Sequence, residues 1–87
     1  MTSLAIETDI RIAAARIEGE LLAVDLADGR SISAPLAWFP RLFNASEAER
    51  QAFEISGGGY GLHWPLLDED ISTEGLLRGA KSPELAR

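Results

Sequence analysis

The sequence predicts a small α+β domain in which an antiparallel sheet packs with two or three short helices. Short apolar runs separated by glycine-bearing turns fill the first half, which is typical of a three-stranded antiparallel meander. Another alternating run occurs near positions 60–64, and helix-capping signals precede two short segments of the second half. Because 87 residues provide one hydrophobic core, we expect a single domain over 1–87, ordered from about 10 to 79 with frayed ends.

Composition excludes several functional classes. The chain has 14 acidic and 8 basic residues, a net charge of −6, and no cysteine. Disulfides, zinc–thiolate sites and thiol nucleophiles are therefore excluded, and a general phosphate-backbone binder is disfavoured. The sequence contains no membrane-length apolar stretch, and its first residues lack the features of a secretory signal. We expect a cytoplasmic protein with no cofactor, no membrane association and no direct nucleic-acid contact.

Three apolar runs form the predicted meander: Ile10–Ile17, Leu21–Leu26 and Arg30–Ala34. A three-residue second loop would place Val24 opposite Ile32 and Leu22 opposite Ala34, so that apolar side chains share one face. A two-residue loop would pair apolar with polar residues. We therefore predict the three-residue loop.

Glycine and small residues shape the two loops of the meander. In the three-residue second loop, Gly29 is expected at positive φ, where a Cβ would clash. The first loop is not decided by pattern. A two-residue loop would put Ala13, Ala15 and Ile17 on the apolar face of the second strand. A three-residue loop would put Ile12 and Ala14 there.

The second half begins with short helical signals. Pro35 ends the third strand, and Leu36–Phe43 can form one or two helical turns with Pro40 near a helix start. The capping-box spacing of Ser46 and Glu49 predicts a helix from about Ser46 to Phe53.

Alternation and capping predict the remaining elements. The segment Phe53–Ser56 either ends the preceding helix or begins a strand, and Gly57–Gly59 then interrupt the chain. Tyr60–Trp64 alternates and stops at a proline, which predicts a strand. Asp70–Ser72 leads into a short helix with Ser72 as N-cap and Gly79 after its end, and the chain from position 80 is expected to fray.

Candidate catalytic and metal-binding groups each have a structural interpretation as well. Asp68, Glu69, Asp70 and Glu74 cluster as hard-cation ligands do, but their spacing differs from that of a calcium loop, and carboxylates are also favoured before a helix. His63, the only histidine, is expected on the face away from the core, within possible reach of Asp68 or Asp70. No cysteine or suitably placed serine supplies a nucleophile for it. Capping, solvation and partner contact are therefore favoured over catalysis.

The glycine-rich segment Gly57–Gly61 lacks the lysine and hydroxyl residue that end a phosphate-binding loop. We interpret it as a tight turn.

All six aromatic residues lie between positions 38 and 64, close to Arg41 and Arg50. Most must form the core of so small a domain, while one or two left exposed would mark a partner surface. The region most suited to binding a partner comprises aromatic, basic, acidic and histidine side chains: Trp38, Arg41, Tyr60, His63, Trp64, Asp68, Glu69 and Asp70.

Four motifs carry a resemblance to a known family: Ala27–Arg30, Pro35–Leu42, Gly57–Pro65, and Leu67–Ser72 with Gly75–Leu77. They resemble the domain of unknown function 2442 family over about positions 11–79. The resemblance implies a small bacterial α+β protein, sometimes joined to a C-terminal helix-turn-helix. Such proteins are often encoded beside another small protein, of the domain of unknown function 4160 family, in what looks like a toxin–antitoxin pair. We expect no helix-turn-helix in this chain, and the family supplies no catalytic residues.

We therefore expect a non-enzymatic protein-binding module, antitoxin-like or regulatory, whose partner is a small basic protein. Homo-oligomers remain compatible with the sequence. One alternative is an acidic inhibitor or nucleic-acid mimic of the phage type, which would use seven carboxylates on one face: Glu47, Glu49, Glu54, Asp68, Glu69, Asp70 and Glu74. A metal-dependent or His63-dependent enzyme is the least favoured hypothesis.

Overall fold

The computed structural model describes residues 7–83, which form two three-stranded antiparallel sheets and three short α-helices. The first sheet, in the order β1-β2-β3, consists of β1 (Ile12–Glu18), β2 (Leu21–Leu26) and β3 (Ser31–Pro35). The second sheet, in the order β4-β5-β6, consists of β4 (Glu54–Ser56), β5 (Gly61–Trp64) and β6 (Glu69–Ser72). The helices are α1 (Pro40–Phe43), α2 (Glu47–Gln51) and α3 (Thr73–Arg78). The α+β class predicted from the sequence is confirmed.

The first hairpin uses the shorter of the two loops that the sequence left open. Glu18 faces Leu21 across a two-residue loop, and Gly19 in that loop has a φ of 59°. Ile17 consequently faces Leu22 on the apolar side of the sheet. A register irregularity between positions 12 and 14 places Ile12, rather than Ala13, on the buried side.

The second hairpin has the predicted three-residue loop. Val24 pairs with Ile32 and Leu22 pairs with Ala34, and Gly29 has a φ of 97°. A side chain at Gly29 would meet no atom within 4 Å, so the requirement for glycine comes from the backbone angle rather than from crowding.

The carboxylate of Asp28 organises the same loop. It accepts hydrogen bonds from the Arg30 guanidinium (Nη2 to Oδ2, 2.8 Å) and from the backbone N–H groups of Arg30 (3.1 Å) and Asp9 (2.9 Å). Only 4% of the Asp28 side chain is exposed. Bonds from the Arg30 side chain, followed by the Asp9 N–H, hold the pKa of Asp28 well below its usual range.

The helical signals are confirmed with shorter bounds. Pro40 is the first residue of α1, as its missing N–H allows. The Ser46 hydroxyl accepts from the Glu49 N–H while the Glu49 carboxylate accepts from the Ser46 N–H, which completes the capping box of α2. This helix ends at Gln51, and Glu54–Ser56 is a strand, which decides the alternative left open at Phe53–Ser56.

The strand predicted near 60–64 does not extend the meander but is the central strand of the second sheet, between β4 and β6. Strand β6 was expected only as a lead into the last helix. Its sequence, Glu-Asp-Ile-Ser, carries one apolar residue and so gives no alternating signal. Helix α3 follows as predicted, with the Ser72 hydroxyl accepting from the Gly75 N–H and Gly79 in the left-handed region at φ 75°.

The core lies between the apolar face of the first sheet and the elements of the second half. The largest fully buried apolar side chains are Trp64, Leu22, Leu36, Leu42, Leu62 and Val24. Ser82 is also buried, and its N–H donates to the Trp38 carbonyl at 3.0 Å. The described chain is therefore hydrogen-bonded as far as Ser82, beyond position 80 where fraying is expected; positions 84–87 and 1–6 lie outside the described residues. No helix within residues 7–83 has the length and apolar character needed to cross a membrane.

Candidate functional site

The second sheet presents one polar, solvent-facing side, which we call the hairpin face. Leu62, Trp64 and Ile71 point from this sheet into the core. Because side chains alternate along a strand, the intervening residues point the other way. The hairpin face consists of Glu54 and Ser56 of β4, Gly61 and His63 of β5, and Asp70 and Ser72 of β6.

The central feature of this face is a cross-strand row of three ionisable side chains. Glu54 pairs with His63, and His63 pairs with Asp70 on its other side. The imidazole Nδ1 lies 2.8 Å from Oδ1 of Asp70, within hydrogen-bond distance. The His63 side chain is 32% exposed and that of Asp70 is 72% exposed. The row therefore offers two carboxylates and an oriented imidazole to a molecule outside the protein.

Among residues 7–83, no hydroxyl group is hydrogen-bonded to Glu54, His63 or Asp70. The neighbouring row on the hairpin face is Ser56, Gly61 and Ser72. The Ser72 hydroxyl accepts from the Gly75 N–H at 2.9 Å as the cap of α3. Among residues 7–83, no group of three or more histidine or carboxylate side chains is arranged to hold a metal ion.

Arg41 and Asp68 meet at the turn that joins β5 to β6. The Arg41 Nη1 donates to the backbone carbonyl of Asp68 at 2.7 Å and lies 3.9 Å from Oδ2 of the same residue. Asp68 has a φ of 51°, a left-handed conformation that aspartate adopts more readily than most residues. Arg41 thus fixes the turn, while the Asp68 carboxylate, 94% exposed, projects from it.

The prediction that Trp64 contacts a partner is wrong. Its side chain is 0% exposed, its indole N–H donates to the Arg50 carbonyl at 2.9 Å, and its ring lies 5.6 Å from that of Phe53. Alternation along β5 explains this, since Trp64 points to the same side as the buried Leu62. Trp64 holds the second sheet onto the core.

Three other predicted residues lie apart from the row. Tyr60, 51% exposed, precedes β5 at the end opposite the Asp68 turn. Glu69 is half-buried and points to the side of β6 opposite Asp70. Trp38 packs with the C-terminal segment instead, where the Lys81 Nζ lies 5.4 Å from its ring centroid.

Sequence reasoning did not include Glu54 in the candidate surface. In the sequence Glu54 is only one of the seven carboxylates of the acidic-mimic alternative, and Phe53–Ser56 can either end a helix or begin a strand. Once β4 is a strand, the pairing of Glu54 with His63 places it on the hairpin face. Cross-strand register was the missing signal.

A cleft of about 160 Å³ lies beside the hairpin face, between β6, α3 and the C-terminal segment. Phe39 contributes an apolar wall, while Asp70, Arg78 and Lys81 contribute charges of both signs. The cleft therefore adds a mixed polar and apolar surface on the Asp70 side of the row.

Comparison with known proteins identifies relatives of uncharacterised function. A family model described as "Protein of unknown function (DUF2442)" matches residues 12–82. No curated protein sequence matches the chain. The chain is similar to a protein of unknown function from Rhodospirillum rubrum ATCC 11170, solved by crystallography, with 38% identity, a TM-score of 0.76, and coverage of 86% of this chain and 93% of that one.

A second solved structure shares the fold. It is the solution NMR structure of an uncharacterised protein from Chromobacterium violaceum, 23% identical with a TM-score of 0.71, covering 83% of this chain and 68% of the other. The family-model match extends from the first residue of β1 to the buried Ser82, and so spans both sheets and the hairpin face. The protein therefore belongs to the DUF2442 family.

Proposed function

We propose that this protein is a non-enzymatic protein-binding module that acts as an antitoxin-like or regulatory partner of a small basic protein. The observation that carries the proposal is the row of Glu54, His63 and Asp70 on the exposed side of the second sheet. A sheet whose other side is anchored by Trp64 and Leu62 holds these side chains at fixed spacing. Such a surface suits recognition of cationic side chains, because these donate charge-assisted hydrogen bonds to carboxylates.

The distribution of ion pairs supports a basic partner. In the first sheet and its flanks, each arginine pairs with a carboxylate: Arg11 with Asp9, Arg16 with Glu18 and Asp25, and Arg30 with Asp28. These pairs neutralise much of the charge within the sheet itself.

In the second half, Arg41 and Arg78 each lie 3.9 Å from a carboxylate, of Asp68 and Glu74 respectively, and Arg50 bonds to backbone carbonyls. Arg50 donates to the carbonyls of Leu42 (2.9 Å) and Phe43 (2.6 Å), and Arg41 donates to that of Asp68. Glu54 forms no ion pair with any residue of the described chain. Glu54 is thus left without a compensating charge among residues 7–83, which favours a cationic partner.

Apolar groups at the edges of the second sheet supply anchors. Tyr60 is 51% exposed just before β5, and Leu66 is 66% exposed in the turn that follows β5. Ile55, on the edge strand β4, is 45% exposed. An exposed aromatic beside charged groups is the composition that binding hot spots favour.

The nucleic-acid mimic is less well supported than a protein partner. Mimicry requires carboxylates in register along one face, but Glu69 and Asp70 point to opposite sides of β6. Glu49 is used in the cap of α2.

An antitoxin-like partner would act in the cytoplasm, which is the location we propose.

The test is binding of the purified chain to the product of the adjacent gene, measured by calorimetry over a salt series. We expect a complex at low salt whose affinity falls as salt rises, because screening weakens charge complementarity. The double substitution E54Q/D70N should weaken binding at least about tenfold and flatten its salt dependence.

A matched control separates site from net charge. E20Q removes an exposed carboxylate from the loop of the first hairpin and should leave affinity unchanged within about twofold. Absence of a complex at low salt would refute the choice of partner. Equal losses in E20Q and in single E54Q would refute the site.

A further inference from the structure

The outer edge of β3 carries backbone hydrogen-bonding groups that no described residue satisfies. The Leu26 N–H donates to the Arg30 carbonyl at 2.8 Å, and the Leu36 N–H donates to the Glu20 carbonyl at 2.9 Å. Hydrogen-bonded pairs alternate in an antiparallel ladder, so Ile32 and Ala34 bond to β2 between these two pairs. Ser31 and Ser33 therefore direct their N–H and C=O groups away from β2, where no residue of 7–83 bonds to them.

The other three sheet edges are protected in ways that natural sheets use against unwanted pairing. Strand β1 has a register irregularity and carries Arg16 and Glu18. Strand β4 has only 3 residues, and β6 carries Glu69 and Asp70. By contrast, β3 is a 5-residue strand without a charged side chain, interrupted only by Pro35 at its end.

We propose that β3 is a homodimer interface, in which two copies of the chain pair their β3 strands antiparallel about a two-fold axis at Ile32. Ser31 of one copy then faces Ser33 of the second copy, and each of these residues exchanges both backbone hydrogen bonds. Pro35, which has no N–H, lies beyond the paired positions. The first sheets of both copies become one continuous sheet.

The absence of charge on β3 permits a second copy to approach, and Ile32 favours a second copy over another protein. Each chain carries a charge of −6, so copies can approach only where carboxylates do not oppose one another, and β3 is such a place. Ile32 is only half-buried on the apolar face. At the two-fold axis it would lie opposite Ile32 of the second copy in a closely spaced pair, which covers apolar area on both.

This interface lies on the first sheet and is separate from the hairpin face. The two interactions should also respond oppositely to salt. Added salt should strengthen the homodimer by screening repulsion between acidic copies, whereas it should weaken a complex with a basic protein.

The experiment is sedimentation velocity with light scattering on the full chain over a dilution series. The wild type should reach about twice the 9.4 kDa chain mass. S33P removes the outward N–H without removing a bond of the monomer, since proline is tolerated at such edge positions. It should raise the dimer dissociation constant at least about tenfold, while S33T, which keeps the N–H, should remain dimeric.

A wild type that remains monomeric throughout would overturn the proposal and leave the edge to a strand of another protein. Dimerisation of S33P with wild-type affinity would also overturn it, because the interface would then lie elsewhere. If S33P fails to fold, amide exchange in the wild type decides the question. The Ser31 and Ser33 amides should become protected as concentration rises, and unchanged exchange in a dimeric sample would contradict the pairing.

Discussion

His63 and Asp70 are cross-strand partners in the second sheet, and the imidazole Nδ1 of the one lies 2.8 Å from Oδ1 of the other. The pair lies on the exposed side of a sheet whose other side is fixed by Trp64 and Leu62. Exposed ion pairs contribute little to the free energy of unfolding. We therefore propose that the His63–Asp70 pair serves the binding surface rather than the stability of the fold.

The small stability contribution of this pair can be measured. D70N should change the free energy of unfolding by less than about 1 kcal/mol, since the Asp70 side chain is 72% exposed and solvent screens the interaction. Urea denaturation of the wild type and D70N tests this. A loss of several kcal/mol would mean that Asp70 is a structural residue and that the binding effect of E54Q/D70N could not be assigned to the surface.

The two tryptophans should differ sharply in their effects on stability. W64A removes a fully buried side chain, its ring contact with Phe53 and its bond to the Arg50 carbonyl, so it should cost about 3–5 kcal/mol. Chemical denaturation is the measurement, and W38A provides the comparison because Trp38 is only half-buried. Equal losses in the two variants would contradict the assignment of Trp64 to the core and of Trp38 to its margin.

The lowered pKa of Asp28 predicts that part of the fold's stability is lost in acid. Its pKa is lower in the folded protein than the usual value of about 3.9 in an unfolded chain. The contribution of Asp28 to stability is therefore complete above about pH 4 and is lost as pH falls towards the folded-state pKa. Melting temperatures of wild type and D28N from neutral pH downward should converge below about pH 4.

D68N is the control for this pH series, because Asp68 is 94% exposed and bonds to Arg41 chiefly through its backbone carbonyl. D68N should follow the wild-type curve throughout. A constant offset between D28N and wild type down to the lowest pH would show that the carboxylate charge of Asp28 is not the stabilising feature.

Gly29 should be replaceable only at a cost set by its backbone angle. At a φ of 97°, with open space around the position of a Cβ, G29A should destabilise the protein by about 1–2 kcal/mol. G29N should lose less, since asparagine tolerates positive φ better than alanine. Thermal denaturation compares them, and full stability in G29A would show that the loop does not need this conformation.

Local patterns in the sequence predicted more of the fold than of the site. The Gly29 loop, the Ser46 capping box and the Ser72 and Gly79 caps depend on neighbouring residues, so they could be predicted from short segments. The second sheet could not be predicted from short segments. Its strands β4 and β6 are short, and β6 is mostly polar, so only pairing with β5 identifies them.

The candidate site shows the same division. Alternation along β5 separated His63 from Leu62 and Trp64, and Asp70 was one of two carboxylates expected within reach of His63. Glu54 could not be placed, because its position depends on a register between segments distant in sequence. Side-chain location in an antiparallel sheet follows from strand pairing, and pairing is a tertiary property.

Binding of a basic protein by the hairpin face can be tested by NMR chemical-shift mapping. The isotope-labelled chain is titrated at low salt with the unlabelled product of the adjacent gene. We expect perturbed amides to concentrate on β4, β5 and β6 around Glu54, His63 and Asp70, with those of β1 and β2 unchanged. Perturbations confined to the first sheet, or none at saturating partner, would contradict it.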